Sequence, residues 1–169
     1  MDSGSTVERT AVRVVLLDAR GSVLLLQTRD LSDSNSDSAW ELPGGGVETG
    51  ESFFAAVYRE IHEETGLKLD EARVAPPTWQ RDVLYTYRGE RRLQHESITL
   101  VRVPQVAPAI ALSRRVAFDS EDHFEHRWWS PQEIATSREL FFPRSLPTQL
   151  PRLLRGEEIS EPLEVWQQT

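Results

Sequence analysis

The hydrophobic pattern near the N-terminus predicts two β-strands that pair as a hairpin. Residues 11–17 are mostly apolar and β-branched, and residues 23–26 form a second apolar run. The polar residues 18–21 between them end in a glycine, which is typical of a turn. Residues 1–8 are expected to be a flexible tail, and the serine- and aspartate-rich residues 29–39 a loop.

The rest of the chain predicts a mixed β-sheet covered by helices. A helix is expected over residues 51–65, with Gly66 as its left-handed cap, and another near 144–155, where Pro147 and Pro151 obscure the boundaries. Strands are expected at 83–88, 97–103 and 124–129, with a turn at 88–91 and a helix-capping box at 130–133. This order predicts an α/β fold with one domain over 9–169.

The helix predicted at 51–65 carries an unusual acidic stripe. Glu60, Glu63 and Glu64 share a face about 100° wide, next to an apolar stripe that contains Val57 and Ile61. Like charges at this spacing repel each other, and anions are disfavoured near the C-terminal end of a helix. A divalent cation such as Mg²⁺ or Mn²⁺, bound between these carboxylates, would offset their mutual repulsion. The alternative is a solvated acidic helix face.

A glycine-rich segment precedes this helix and favours a cation site over a solvated acidic face. Gly44, Gly45, Gly46 and Gly50 let the backbone approach a ligand closely, which an ordinary entry into a helix does not require. Glu51 can reach Arg59 only if the segment folds back on the helix. We therefore expect this pair to brace the segment, and the alternative is a surface ion pair of little energetic value.

Composition narrows the possible functions. The chain has 169 residues and no cysteine, which excludes disulfides, thiol nucleophiles and thiolate metal sites. Its net charge of −8 argues against stable binding of nucleic acids, and no apolar run is long enough to span a membrane. These features favour a cytoplasmic protein. Residues 73–115 hold eight basic and three acidic residues, a net +5 that indicates either a wall facing phosphates or a solvated sheet edge.

The glycine-rich segment and the acidic helix together resemble the Nudix box of the Nudix hydrolases. The match runs from Gly45 through Glu51 to the continuous stretch Arg59-Glu60-Ile61-His62-Glu63-Glu64-Thr65-Gly66-Leu67. The flanking stretches at 40–48 and 127–134 also resemble the family's approach to the box and its closing strand and helix. The resemblance implies an α/β/α sandwich around a mixed β-sheet, the Nudix fold.

The resemblance also implies a reaction and a set of site residues. Nudix enzymes hydrolyse a diphosphate linked to another group, most often a nucleoside. Carried onto this chain, Mg²⁺ or Mn²⁺ would be held by Glu60, Glu64 and the Gly45 carbonyl. Glu63 would be a further ligand or would help to activate water, and Arg59 would support the catalytic segment with Glu51. The expected partner is a nucleotide or another small diphosphate.

Residues outside the box supply further candidates. Glu125 is our first choice for the general base, with Glu121, Asp122 and His123 as rivals and a solvated loop acid as the alternative. Relatives often place a substrate contact at the position of Arg29. Arg81 belongs to the basic stretch, and Tyr85 could stack on a base or pack in the core, as could two further aromatic residues, Trp79 and Tyr87.

The same fold serves two other functions. A nucleotide sensor without hydrolysis would keep the fold but often has a damaged box, whereas every acid of the box is present here. Isomerisation of isoprenoid diphosphates relies on a cysteine in known relatives, and this chain has none. The sequence leaves the nucleobase, the linked group and the oligomeric state open, and it allows a homodimer.

Overall fold

A computed structural model describes residues 4–28, 38–111 and 123–166, with the backbone alone for His123 and Phe124. The elements in these ranges are three α-helices, one short 3₁₀ helix at Glu71–Arg73 and ten strands. The helices are α1 (Phe53–Thr65), α2 (Pro131–Thr136) and α3 (Leu146–Leu154). The strands are β1 (Val7–Leu17), β2 (Val23–Thr28), β3 (Ala39–Glu41), β4 (Gly44–Gly46), β5 (Trp79–Tyr87), β6 (Glu90–Arg102), β7 (His123–Trp129), β8 (Phe141–Phe142), β9 (Ile159–Ser160) and β10 (Glu164–Val165).

The strands form one mixed sheet with β1 at its centre. The main path runs β10-β5-β6-β1-β2-β3-β8, while β4 pairs with β1, β7 with β2 and β9 with β5. β1 and β6 run parallel in continuous register from Val7 opposite Arg92 to Leu17 opposite Arg102. β2 is antiparallel to β1, so the predicted hairpin is confirmed. The short strand β4 is antiparallel to β1, which places the glycine-rich segment directly beside the central strand.

Helices cover both faces of the sheet. α1 contributes Ala56, Val57 and Ile61 to the apolar core on one face. α2 and α3 contribute to the core on the other face, which also contains Trp79 and Trp129. Alternate residues of each strand serve alternate faces, as the period of a β-strand requires. The predicted α/β/α sandwich around a mixed sheet is confirmed.

Several element boundaries differ from the sequence expectation. β1 begins at Val7, two residues inside the expected tail, and β6 begins at Glu90 rather than near residue 97. The start of β6 is rich in charge, and its strand conformation comes from pairing with β1 and β5 on either side. The expected turn is confirmed as Arg88 and Gly89, both with positive φ, between the paired residues Tyr87 and Glu90.

Other segments add to the fold without changing it. The expected loop at 29–39 lies outside the described residues except for its last two, and Ala39 begins β3. At α2, Ser130 accepts a hydrogen bond from the Glu133 amide, while the Glu133 side chain pairs with Arg127 instead of completing the capping box. Within the described ranges, no helix combines the length and the apolar character needed to cross a membrane.

Asp18 holds the turn that follows β1. Its Oδ1 accepts hydrogen bonds from the Arg20 and Ser22 amides at 2.9 and 2.8 Å, and its Oδ2 accepts one from the Ala107 amide at 2.9 Å. Burial alone would raise the pKa of Asp18, but these amide hydrogen bonds outweigh it and lower the pKa below its usual value. The ionised carboxylate therefore ties the β1–β2 turn to the segment after β6.

We expect Asp18→Asn to reduce the free energy of unfolding by about 1–3 kcal/mol at pH 7, because asparagine offers only one acceptor oxygen for three amides. A carboxyl with a lowered pKa stabilises the fold above its unfolded pKa, and this contribution disappears as the pH falls through the folded pKa. Urea unfolding at pH 7 and at pH 3 should show the difference between wild type and variant shrinking in acid. An equal difference at both pH values would contradict this account, and Glu139→Gln, an exposed acid, serves as the control.

Candidate active site

Helix α1 presents its acids to the interior because of how it begins and packs. It starts at Phe53 rather than at residue 51, because the Ser52 side chain caps the helix by accepting a hydrogen bond from the Ala55 amide at 3.1 Å. Gly66 ends it with φ 77°, as expected. Glu60 and Glu64 are only 9% and 4% exposed. The Glu63 side chain, on the outer edge of the same stripe, is 38% exposed.

The glycines of β4 allow its backbone to lie against both β1 and α1. Gly44 has φ 145°, and a Cβ there would lie 2.0 Å from the Val12 carbonyl oxygen. A Cβ on Gly45 would lie 2.6 Å from Oε1 and 2.7 Å from Oε2 of Glu60. These distances are far below van der Waals contact, so Gly45 leaves the space that the Glu60 carboxylate fills.

Arg59 braces the segment between β4 and α1. Its Nε and Nη2 donate to the two carboxylate oxygens of Glu51, each at 2.8 Å, and Nη2 also donates to the Gly46 carbonyl at 2.8 Å. Its Nη1 donates to Glu60 at 2.8 Å and contacts Glu63 at 3.4 Å. The hydrogen bonds from Arg59 lower the pKa of Glu51 to about 2. The segment does fold back on the helix, as the expected brace required.

The two buried acids are electrostatically strained. Burial raises the pKa of Glu60, although Arg59 partly offsets it. Burial and the neighbouring charge of Glu60 raise the pKa of Glu64 well above its usual value, although Arg13 and a hydrogen bond from the Gly44 amide at 3.1 Å oppose this. An added positive charge would stabilise both carboxylates in their ionised form.

Arg13 and Glu96 are site residues that the sequence analysis missed. Arg13 lies beside the glycine segment with 20% of its side chain exposed, and its Nε donates to Glu96 at 3.3 Å. Glu41 is partly buried nearby, and desolvation raises its pKa while Arg13 lowers it. A signal existed for Arg13, because a charged residue interrupts the otherwise apolar run at 11–17. Glu96 carried no comparable signal, since it lies in a stretch where charged and polar residues alternate with apolar ones.

The donor set fits a hard divalent cation. Carboxylates outnumber guanidinium groups around the two buried acids; Glu41, Glu51, Glu60, Glu63, Glu64 and Glu96 surround Arg13 and Arg59. Carboxylate and carbonyl oxygens are the ligands that Mg²⁺ and Mn²⁺ prefer. Across residues 4–28, 38–111 and 123–166, no three acidic or histidine side chains converge closely enough to hold a metal as they stand. Arg59 holds one oxygen of Glu60 at 2.8 Å, so this ion pair would compete with a cation for the Glu60 carboxylate.

Glu125, the expected general base, lies on a different element from the acidic cluster of α1. Glu125 lies on β7 opposite Gln27, with an exposed side chain. Its role stays a prediction. Glu121, Asp122 and the expected substrate contact Arg29 lie outside the described residues, and His123 is described only through its backbone.

Arg81 and Tyr85 lie on one face of β5, and the burial of Arg81 does not fit the solvated sheet edge that was one alternative for the basic stretch. The Arg81 side chain is only 2% exposed; its Nη2 donates to Glu164, and its Nε lies 3.9 Å from Glu96. Tyr85 donates to Gln94 at 3.1 Å and packs against the Trp166 ring. Trp79 is fully buried, so it belongs to the core. Contact of Arg81 or Tyr85 with substrate stays a prediction.

Comparison with known proteins identifies the family. The sequence model of the NUDIX domain matches residues 7–149, most of the chain. The chain belongs to the Nudix family. Among curated relatives, an RNA pyrophosphohydrolase of Roseobacter denitrificans is 43% identical over 70 residues, and one of Francisella tularensis subsp. mediasiatica is 39% identical over 70 residues. Each match covers 41% of this chain and 41% of the relative.

Solved structures agree with the Nudix fold. The MutT protein of Methanosarcina mazei Go1 superimposes with a TM-score of 0.63 and 22% identity, covering 89% of this chain and 98% of that one. A Caenorhabditis elegans Ap4A hydrolase superimposes with a TM-score of 0.56 and 19% identity, covering 88% and 98% of the two chains. At these identities the likeness establishes the fold.

We expect Gly45→Ala to weaken cation binding by about tenfold or more, because the new Cβ displaces the Glu60 carboxylate from its space. Titration of the purified protein with Mn²⁺, followed by electron paramagnetic resonance, measures this directly. Gly4→Ala is the control, since nothing lies within 4 Å of a Cβ at that position. Unchanged Mn²⁺ affinity in a folded Gly45→Ala protein would show that the close approach to Glu60 has no bearing on a cation.

Proposed function

We propose that this Nudix protein is a divalent-cation-dependent pyrophosphohydrolase that cleaves a diphosphate linkage in a nucleotide substrate. The observation that carries the proposal is the pair of buried carboxylates, Glu60 and Glu64, packed beside the backbone of Gly45. Burying like charges beside each other is costly unless a cation offsets them. A protein of net charge −8 also needs such a cation to bind a polyanionic substrate.

Glu60, Glu64 and the Gly45 carbonyl would hold the cation, and we favour Mg²⁺ with Mn²⁺ as a substitute. When bound, such an ion neutralises phosphate charge and lowers the pKa of a coordinated water. Glu63 is half exposed at the edge of the cluster, where it can serve as a further ligand or accept a proton from the attacking water. Arg59 is engaged by Glu51 and the Gly46 carbonyl, so its role is to hold the segment in place.

The names of the relatives indicate a class of substrate. The chain spans about two fifths of the length of the curated relatives that it matches, and these are named RNA pyrophosphohydrolases. A structural neighbour is named an Ap4A hydrolase. We therefore propose a nucleotide that carries a chain of phosphates as the substrate. A panel of a nucleoside triphosphate, a 5′-triphosphorylated RNA oligonucleotide, Ap4A and ADP-ribose, each with Mg²⁺ and Mn²⁺, tests this.

The decisive variant is Glu64→Gln, which keeps the shape of the side chain and removes its charge. We expect kcat/KM on the best substrate of the panel to fall at least roughly thirtyfold, which corresponds to a loss of about 2 kcal/mol of transition-state stabilisation. Glu139→Gln, an exposed acid outside the cluster, is the control and should keep the wild-type rate. Wild-type turnover by Glu64→Gln would exclude the proposed ligand. Tight nucleotide binding without turnover by the wild type in any divalent cation would instead favour a nucleotide sensor.

A further inference from the structure

Arg13 occupies an unusual place for a charged residue. It lies in the central strand β1, within a run that is otherwise apolar, and only 20% of its side chain is exposed. Replacing a buried ion pair by apolar side chains of similar volume is often neutral or stabilising. The ion pair with Glu96 is therefore a weak reason for an arginine here, and its other contacts point to another role.

The guanidinium of Arg13 donates hydrogen bonds to the segment that leads into β4. Its Nη1 donates to the carbonyl oxygens of Leu42 and Gly44, each at 3.3 Å. These carbonyls flank Pro43, whose own carbonyl accepts a hydrogen bond from the Val14 amide at 2.9 Å. Three consecutive carbonyls of the segment are thus held by adjacent residues of β1.

These contacts bear on two of the groups that we assign to the cation, the Gly45 carbonyl and the Glu64 carboxylate. The Gly44 carbonyl belongs to the peptide that links Gly44 to Gly45, so Arg13 fixes the plane next to the Gly45 carbonyl. The Gly44 amide donates to Oε2 of Glu64 at 3.1 Å. A shift of Gly44 would move both the Gly45 carbonyl and the partner of Glu64.

Glu96 fixes the other side of the Arg13 guanidinium. It lies on the neighbouring strand β6, is only 7% exposed and accepts from Nε of Arg13 at 3.3 Å. Its second oxygen lies 3.9 Å from Arg81, which in turn binds Glu164 of β10. Four alternating charges on β1, β6, β5 and β10 therefore hold Arg13 in one orientation.

We infer that Arg13, oriented by Glu96, is a positioning residue that holds the Gly44–Gly45 peptide where Gly45 and Glu64 can bind the divalent cation. The inference rests on the proposed function, since it takes the cation site from there. It adds a residue from outside the glycine–glutamate segment, on a different strand, to the set that the site requires.

The direction in which cation affinity changes when Arg13 is replaced distinguishes two roles for this residue. A positive charge beside Glu60 and Glu64 repels a cation, so if Arg13 acted only through its charge, removing it would tighten cation binding. If Arg13 acts by holding the peptide, removing it loosens cation binding. Lysine keeps the charge but lacks the planar fork that reaches two carbonyls and a carboxylate at once.

The experiment is a titration of the full chain with Mn²⁺ alone, followed by electron paramagnetic resonance, with thermal unfolding of each variant alongside. We expect Arg13→Lys to bind Mn²⁺ about tenfold more weakly than the wild type. Arg13→Gln, if it folds, should also bind more weakly. Arg155→Lys repeats the substitution at an exposed arginine that pairs with Glu157, and it should leave Mn²⁺ affinity unchanged.

The outcomes separate this inference from the proposed function. Wild-type affinity in Arg13→Lys, or tighter binding in Arg13→Gln, would overturn the positioning role while leaving the cation site intact. Failure of the wild type itself to bind Mn²⁺ would remove the cation site and this inference with it. As a second readout, hydrolysis by Arg13→Lys should need more Mg²⁺ for half-maximal rate, with kcat at saturating Mg²⁺ less affected than the Mg²⁺ requirement.

Discussion

The structure is organised around two glutamates that are buried where charge is costly. Glu60 and Glu64 lie one helical turn apart on α1 and face the backbone of β4. Burial raises the pKa of each, and the arginines that approach them are themselves engaged by other carboxylates. A fold that keeps such a pair must supply space, hydrogen bonds and a compensating positive charge, and each feature of the site answers one of these needs.

The glycines of β4 leave room for the Glu60 carboxylate, and pairing with the sheet keeps this segment in one conformation. A side chain on Gly45 would overlap the Glu60 carboxylate, and one on Gly44 would overlap β1. A chain without side chains at these positions has many conformations to lose, so it needs external contacts to stay in one of them. β1 provides them through antiparallel pairing with Gly44–Gly46, while Arg59 secures the far end through the Gly46 carbonyl.

Arginines perform different work in this protein according to their burial. Arg59 lies at the edge of the cluster and joins the helix to the segment before it. Arg81 is enclosed on the opposite side of β6 from β1, and it joins the C-terminal strand β10 to the same charged network. Membership of a basic stretch therefore does not by itself place an arginine on a phosphate-binding surface, because pairing with Glu96 and Glu164 turns Arg81 inward while Arg88 and Arg91 stay exposed.

The sequence by itself determined the hairpin of β1 and β2, the helix with its cap at Gly66 and the acidic stripe on that helix, because these depend on residues close together in the chain. It also carried the family signature from Gly45 to Leu67. Only the tertiary structure decided that β6 extends through a charged stretch, that Arg13 and Glu96 meet across 83 residues, and that Arg81 is buried. Those features arise from strands paired at long range, where neighbouring strands set the environment of a side chain and local periodicity carries no record of it.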